Sequence, residues 1–290
     1  MHDMWNPWHG CHKKSEGCEN CYMIARDKSY NVDGTIVHKN KGDFEYPLKK
    51  SKNKEYKIRP GETVRICMNS DFLVEEADSW RNDVWEIIKQ RPDVVFFILT
   101  KRPERMSECL PYWWNDGLDN VIFNVTCENQ LRADERIPIL FDLPFKHKGI
   151  VCAPFIGPIE IEKYLKENII EQVICDGERY EIPRPLDYNW VKSLSEQCKR
   201  AGTRFAFLST GTIFIKDGKK YVIEDKRLQT EQAKLSELEN NINPIKFILK
   251  DEYGNILPKD IYIPYFRNRC NKCGSQMVCN GCDNCNKCEK

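Results

Sequence analysis

Six short runs of apolar and β-branched residues recur before residue 210, and helical patterns separate them. They lie at 63–67, 94–100, 121–127, 149–152, 172–175 and 204–209. Continuous apolar runs of this length are typical of strands buried on both faces, as in a parallel sheet. Strands that alternate with helices indicate repeated β-α units with right-handed crossovers. With a further short strand expected at 4–8, we predict an α/β fold, a partial (β/α) barrel of parallel strands.

Two of the segments between the runs have clear helix signals. The segment 78–92 places its apolar residues on one face, and Asp78 or Ser79 is the expected N-cap. A second helix begins at Asp187 as its N-cap and ends at Gly202. Helices of this kind fit the outer layer of a barrel, where one face packs on the strands.

The alternating pattern ends after the last run. A hairpin is expected around 217–218, and more polar sequence follows it. We predict a barrel at 1–211 that contains a basic insert at 31–62, then a small α+β extension at 212–266. A cysteine-rich, metal-binding tail is predicted at 267–290.

The net charge of the chain is +1, so nothing in the overall charge requires a polyanionic partner. The exception is the stretch 38–59, where eight Lys and Arg face three Asp and Glu, a local charge of +5. Two interpretations remain open, a solvated insert or a contact with nucleic acid or phosphate.

The fifteen cysteines are the main indication of function. No stretch approaches the roughly eighteen apolar residues of a membrane span, and no signal-peptide pattern is present, so we expect a cytoplasmic protein with no membrane partner. In a reducing compartment, clustered thiols more often bind metal than form disulfides.

Three cysteines fall close together near the N-terminus, in residues 10–21, which we call the cysteine loop. Cys11, Cys18 and Cys21 have the spacing C-x6-C-x2-C. Three thiolates can hold three irons of a 4Fe-4S cluster and leave the fourth iron open to a small molecule. The alternatives are a structural zinc site completed by His9 or His12, and inert buried thiols.

The tail carries six cysteines within nineteen residues. They are Cys270, Cys273, Cys279, Cys282, Cys285 and Cys288. So dense a set with so little apolar sequence requires a metal to supply folding energy. Iron-sulfur and zinc both fit this set.

Four further cysteines fall at the ends of predicted strands. Cys67, Cys127, Cys152 and Cys175 would meet at the same rim of a barrel. Cysteine is also a common small buried hydrophobe, so these four indicate either core packing or an additional sulfur or metal site.

Several motifs together resemble a known family. They are "WNPWHGC", "SEGCENCY", "LTKRPERM", "ADERIPIL", "GPIEI" and "WVKSLSEQCKRAG", spread from about Trp5 to Thr210. In this order they are similar to a phage- and prophage-associated family of radical-SAM-like barrel proteins of unknown function. The resemblance implies a partial barrel, a 4Fe-4S cluster on Cys11, Cys18 and Cys21, and S-adenosylmethionine (SAM). The tail is similar to part of an auxiliary-cluster domain of some radical SAM enzymes.

The resemblance implies an enzyme that reductively cleaves SAM to a 5′-deoxyadenosyl radical acting on an unidentified substrate, with an auxiliary iron-sulfur or zinc site in the tail. Such an enzyme needs an electron donor such as flavodoxin or ferredoxin. Polar residues at the strand ends are the expected cofactor contacts: Asp71, Glu128, Asn129 and Glu178. Lys101 and Arg102 are expected to meet a phosphate or carboxylate of the substrate or cofactor.

The chain departs from the family pattern at three places. Ala153 stands before Pro154 where an acidic residue is usual, Leu208 replaces a lysine, and "GGE" becomes 176–178, "DGE". We expect these changes to lie where the substrate binds.

Two other functions remain open. One is a zinc-stabilised nucleic-acid-binding protein without catalysis, and the other is an electron-transfer protein that cleaves nothing. Metal identity separates the first from a radical SAM enzyme, and SAM binding separates the second. The sequence leaves open whether the substrate is a small molecule, a nucleotide or a peptide.

Overall fold

The computed structural model of the protein describes residues 4–258, and strands and helices alternate along most of this range. The strands are β1 (Met4–Trp5), β2 (Trp8–His9), β3 (His38–Lys39), β4 (Thr63–Ile66), β5 (Val95–Thr100), β6 (Val121–Thr126), β7 (His147–Cys152), β8 (Ile170–Asp176), β9 (Leu186–Asp187), β10 (Arg204–Ser209), β11 (Ile213–Lys216) and β12 (Lys219–Val222). The α-helices are α1 (Tyr22–Ser29), α2 (Asp78–Gln90), α3 (Met106–Cys109), α4 (Gln130–Asp142), α5 (Glu162–Leu165), α6 (Tyr188–Ala201) and α7 (Lys226–Leu235). Short 3-10 turns lie at Glu16–Cys18, Tyr46–Leu48, Glu75–Ala77 and Pro103–Arg105.

Seven parallel strands form the central sheet, in the order β1-β4-β5-β6-β7-β8-β10. All six apolar runs are strands of this sheet, and β1 joins its edge beside β4. Successive strands lie side by side because each crossover returns the chain in the same direction. The predicted partial barrel is confirmed, and the carboxyl ends of its strands share one edge.

The two helices with clear sequence signals are both present. In α6, the Asp187 carboxylate accepts a hydrogen bond from Asn189 N at 2.8 Å, and Gly202 ends the helix in the left-handed conformation with φ 70°. The predicted cap of α2 is wrong: Ala77 occupies the N-cap and Asp78 is the first helical residue. The 3-10 turn Glu75–Ala77 runs directly into the helix, so Asp78 is already helical, and its carboxylate pairs with Arg81 and Arg105.

The chain after the barrel packs against its last strand. β11 and β12 form the predicted hairpin around residues 217–218 and join β9 in a three-stranded sheet. The polar helix α7 packs on β10. The proposed division at 211 and 266 into separate domains stays a prediction.

The basic insert covers the free edge of the barrel beside β1. The indole nitrogen of Trp5 donates to the carbonyl oxygens of Asp43 and Phe44, both at 3.0 Å. Phe44, Tyr46 and Ile58 are buried in the core. Because its apolar side chains pack on the barrel, the insert is part of the fold, and most of its lysines are exposed.

Within residues 4–258, no helix has the length and apolar character needed to cross a membrane.

Candidate cofactor site

The cysteine loop lies across the carboxyl ends of the parallel strands. Gly10 begins it with φ 94°, and a Cβ at this position would sit 2.3 Å from the carbonyl oxygen of Ile36. Only glycine therefore fits here, because it tolerates both the positive φ and the close backbone. Cys11 N then donates to Gly34 O at 3.0 Å.

The three cysteines of the loop line one cavity of about 420 Å³. Each of Cys11, Cys18 and Cys21 is partly exposed. The volume lies within the range of about 300–1,000 Å³ that is typical of small-molecule sites. The cavity also contains residues that follow the strands, and it occupies the place where β/α barrels carry their chemistry.

The two histidines near the loop cysteines contact carboxylates and not the cavity. His9 Nε2 lies 2.6 Å from Asp27 Oδ2, and His12 Nε2 lies 2.5 Å from Glu76 Oε1. Neither histidine lines the cavity. In the described part of the chain, no three His, Cys, Asp or Glu side chains are close enough to hold one metal ion. Within residues 4–258, the two histidines are therefore not placed to complete a zinc site with the loop cysteines.

Arg102 brings a positive charge to the Cys11 thiol. Its Nη1 lies 3.9 Å from Cys11 Sγ, and its Nη2 donates to His12 O at 2.7 Å. Burial is the main cause that raises the pKa of Cys11 to about 12, the nearby Asp71 raises it further, and Arg102 opposes both. The free thiol is therefore protonated at neutral pH, and a bound cation would have to displace that proton.

Glu128, which follows β6, is the first attachment point of the cysteine loop. Its carboxylate accepts from Ser15 Oγ at 2.5 Å and from Arg136 Nη1 at 2.7 Å. Gly17 lies so close that a Cβ there would be 2.4 Å from Glu128 Cγ. The buried Glu128–Arg136 pair thus fixes both the side chain and the backbone of the loop.

A second attachment joins the loop to helix α4. Arg132 donates to Glu16 Oε2 at 2.8 Å, and Asn129 donates to Glu16 Oε1 at 2.5 Å. Asn129 also caps α4 by accepting from Arg132 N at 3.1 Å. The hydrogen bond from Arg132 is the largest cause that lowers the pKa of Glu16 to about 2. This ion pair is therefore present at neutral pH.

A third attachment uses Glu178, after β8. Asn20 donates to Glu178 Oε2 at 2.9 Å, and Arg184 Nη2 donates to Oε1 at 2.5 Å. Arg184 also donates to Glu16 O at 2.9 Å. Burial opposes ionisation of Glu178, but the hydrogen bonds, chiefly from Arg184, outweigh it and lower its pKa. Together the three attachments tie most of the loop to the rim.

Asp71 organises the wall of the cavity after β4. Its Oδ1 accepts from Thr100 Oγ1 at 2.6 Å, and its Oδ2 accepts from Lys101 N at 2.9 Å. Arg102 Nη1 lies 3.2 Å from the same Oδ2. The carboxylate is therefore paired, and it positions the Arg102 guanidinium beside Cys11.

Of the six polar residues predicted for this site, four line the cavity and two lie under the loop. Asp71, Lys101, Arg102 and Glu178 belong to the lining. Glu128 and Asn129 are engaged by loop and helix partners outside it. All six are brought to one rim, and their assignment as cofactor or substrate contacts stays a prediction.

Sequence reasoning missed the arginines that complete these attachments. Arg136 and Arg184 carry the counter-charges of Glu128 and Glu178, and both come from other elements. One signal was available for Arg136, which falls on the otherwise apolar, buried face of α4. No local pattern marks Arg184, because its role depends on tertiary contact.

Of the positions that depart from the family pattern, some line the cavity and one does not. Ala153, Pro154 and 176–178 line the cavity, and their place at a substrate stays a prediction. Asp176 pairs with Arg179 at 2.9 Å, and burial raises its pKa against the effect of that arginine. Leu208 is 43% exposed and does not belong to the lining of this cavity.

The strand-end cysteines are buried. Cys127, Cys152 and Cys175 are fully buried, and Cys67 is 3% exposed at the cavity wall. Burial raises the pKa of each of these thiols. No three-ligand metal group forms among them within the described residues, which favours core packing. The six tail cysteines lie outside the described residues.

Comparison with known families identifies a family for this chain. The model of a protein family of unknown function, DUF5131, matches residues 1–242. The chain belongs to this family. No curated protein matches the chain, and no solved structure does. The DUF5131 match covers the whole barrel, including the cysteine loop and every residue of the cavity wall.

Proposed function

We propose that this member of the DUF5131 family is a radical SAM enzyme. In this proposal Cys11, Cys18 and Cys21 hold a 4Fe-4S cluster, and the cavity receives SAM and substrate. The observation that carries it is the convergence of three cysteines on one cavity at the carboxyl ends of a parallel barrel. The link to phage-associated radical-SAM-like proteins belongs to the same proposal and stays a prediction.

The donor set fits a cluster better than a single zinc ion. Zinc–sulfur bonds of about 2.3 Å draw four ligands tightly around one ion. A cluster distributes its thiolates over separate irons and accepts a wider arrangement of ligands. The three thiols line a shared cavity without forming a compact single-ion group in the described chain. The two nearby histidines already have carboxylate partners.

When bound, the reduced cluster and SAM supply a 5′-deoxyadenosyl radical that abstracts hydrogen from a substrate. The protein residues bind and orient these groups. Arg102 favours the thiolate form of Cys11, which ligation requires. Glu128, Glu16 and Glu178 hold the loop through their attachments, so the three thiols keep a fixed relation to the cavity wall.

The proposal requires two further components. One is an electron donor, for which flavodoxin or ferredoxin is the predicted partner. The other is the metal of the tail, iron-sulfur or zinc, which would relay electrons or have a structural role. A zinc-stabilised nucleic-acid-binding protein remains the alternative, with the exposed lysines of the insert as its contacts.

Metal analysis of the full-length chain tests the proposal. Anaerobically reconstituted wild-type protein should contain iron and sulfide, and Cys18→Ala should lose about four irons per chain, one cluster. Cys198→Ala, which removes a buried thiol on α6 away from the cavity, is the matched control and should keep them. Because the tail is intact in all three proteins, the difference reports on the loop alone. Zinc without iron in the wild type would contradict the proposal.

A further inference from the structure

Two polar groups of the cavity have no partner within the described chain. The Thr126 hydroxyl is fully buried and makes no hydrogen bond to any residue of 4–258. The Lys101 ammonium makes neither a hydrogen bond nor an ion pair with any of the same residues. Both residues line the cavity. An unsatisfied buried hydroxyl is costly, so it indicates a missing ligand or water.

These two groups lie on neighbouring strands. Thr100 of β5 pairs with Val125 of β6, so Lys101 and Thr126 are the next residues along each strand. The register therefore brings an ammonium donor and a hydroxyl donor to adjacent strand ends. Because strand ends are rigid, the backbone of both residues is held in place before any ligand arrives.

Each acidic side chain that lines the cavity is already paired with an arginine and not with Lys101. Asp71 lies 3.2 Å from Arg102, Asp176 lies 2.9 Å from Arg179, and Glu178 lies 2.5 Å from Arg184. Each carboxylate of the lining thus has its own arginine. Among residues 4–258 the Lys101 charge therefore has no counter-ion, and in a partly enclosed site such a charge attracts an anion strongly.

We infer that Lys101 and Thr126 form a subsite for an anionic oxygen group, a carboxylate or a phosphate, carried by the substrate. Lys101 supplies the charge, and the Thr126 hydroxyl donates a hydrogen bond to the same group. Arg102 is committed to Asp71 and the loop, so the two basic residues of the "TKR" segment have different roles. The inference rests on the proposed function, because it assigns a ligand to the same cavity.

Inorganic phosphate is the probe, added to the full-length protein at constant ionic strength. Binding is followed by 31P line broadening and by the rise in unfolding temperature. Lys101→Met should weaken phosphate binding about tenfold or more, since a hydrogen bond to a charged group is worth roughly that factor. Lys192→Met, which removes an exposed lysine of α6 outside the cavity lining, is the matched control and should bind like the wild type.

Thr126→Val separates a ligand contact from a structural role. It should weaken phosphate binding several-fold. In phosphate-free buffer the free energy of unfolding should stay the same or rise slightly, because the substitution removes an unsatisfied buried hydroxyl. Thr126→Ser, which keeps the hydroxyl, should bind phosphate like the wild type. Binding unchanged in both Lys101→Met and Thr126→Val overturns the subsite, and so does absence of phosphate binding in the wild type.

A competition experiment assigns the subsite to substrate or cofactor. Phosphate binding that persists with saturating SAM supports a substrate subsite, whereas complete displacement by SAM overturns that assignment. The same measurements distinguish failure of the anion subsite from failure of the proposed function. Phosphate binding that depends on Lys101, in a protein that takes up no iron, would keep the anion site and contradict the radical SAM enzyme.

Discussion

The cysteine loop and the barrel core place the same side chain in two different environments. Cys11, Cys18 and Cys21 are partly exposed and surrounded by charged attachments, and they line the cavity. Four other thiols, which we call the core cysteines, are fully buried: Cys127, Cys152, Cys175 and Cys198. The thiol itself is identical in both sets. Access and neighbouring charge decide whether a cysteine is available for ligation or packs as a small hydrophobe.

Thiol labelling should show the largest difference between the two sets. In metal-free native protein, iodoacetamide should modify Cys18 and Cys21 at least about 1000-fold faster than the core cysteines, which react only after opening. Cys11 should react more slowly than these two, because its pKa is raised to about 12. Peptide mass spectrometry resolves each position. Equal labelling rates for the core cysteines and the loop cysteines would contradict the claim that the two sets differ in accessibility.

The buried pair beneath the loop gives the next largest effect. Arg136→Met leaves the Glu128 carboxylate buried without its counter-ion, and the exposed fractions of the two side chains are 4% and 0%. We expect the free energy of unfolding in urea to fall by about 3–5 kcal/mol. Arg132→Met breaks the more exposed pair with Glu16 on the same helix and should cost about 1 kcal/mol or less. Equal losses in the two variants would contradict a special role for the buried attachment.

A single methyl group should disturb the loop. In Gly17→Ala the new Cβ meets the Glu128 side chain at 2.4 Å, and that side chain is already held by Ser15 and Arg136. Overpacking of this kind costs about 1–3 kcal/mol. Gly42→Ala is the matched control, since its Cβ would have no neighbour closer than 3.8 Å. Thermal unfolding of both variants measures the difference, and a stable Gly17→Ala would show that the loop is not tightly packed.

The smallest expected effect is on the pH dependence of stability. Above pH 9, the free energy of unfolding should fall in part because the core cysteines ionise in the unfolded state. Burial raises the pKa of Cys175, so the folded state keeps its proton when the unfolded thiol ionises near its ordinary pKa of 9.0. The stabilising contribution is therefore complete below pH 9 and falls by about 1.4 kcal/mol per pH unit above it. Between pH 9 and 10 the unfolded thiol is only partly ionised, so the stability of Cys175→Ala measured by urea unfolding should fall by about 1 kcal/mol less than that of the wild type.

A neighbouring apolar residue provides the control for that slope. Val173→Ala truncates another fully buried side chain of β8 and removes no thiol. It should lower stability equally at every pH. If Val173→Ala changes the slope as much as Cys175→Ala, thiol ionisation is not the cause.

Most of the barrel follows from the sequence, because strands buried on both faces leave continuous apolar runs. The run at 204–209 coincides with β10, and the other runs differ from their strands by a few residues at most. The predicted N-cap of α2 was wrong because the 3-10 turn Glu75–Ala77 runs directly into the helix, so Asp78 is already helical. Local signals predict the elements well, but the exact end of an element also depends on the turn that precedes it.

The site was only partly predictable. The spacing of Cys11, Cys18 and Cys21 marked the loop, and polar residues after the strands marked the rim. Whether such a residue faces the cavity, as Asp71 does, or supports the loop, as Glu128 does, depends on which arginine reaches it. That information is tertiary, since Arg184 is 168 residues away from its contact at Glu16.

Release of 5′-deoxyadenosine tests the central claim most directly. Anaerobic, reconstituted full-length protein is incubated with SAM and dithionite, and the nucleoside is quantified by chromatography. We predict release by the wild type and by Cys198→Ala, and none by Cys18→Ala. Release that survives in Cys18→Ala, or no release from wild-type protein that carries iron and sulfide, would contradict the assignment of the cysteine loop as the radical-generating site.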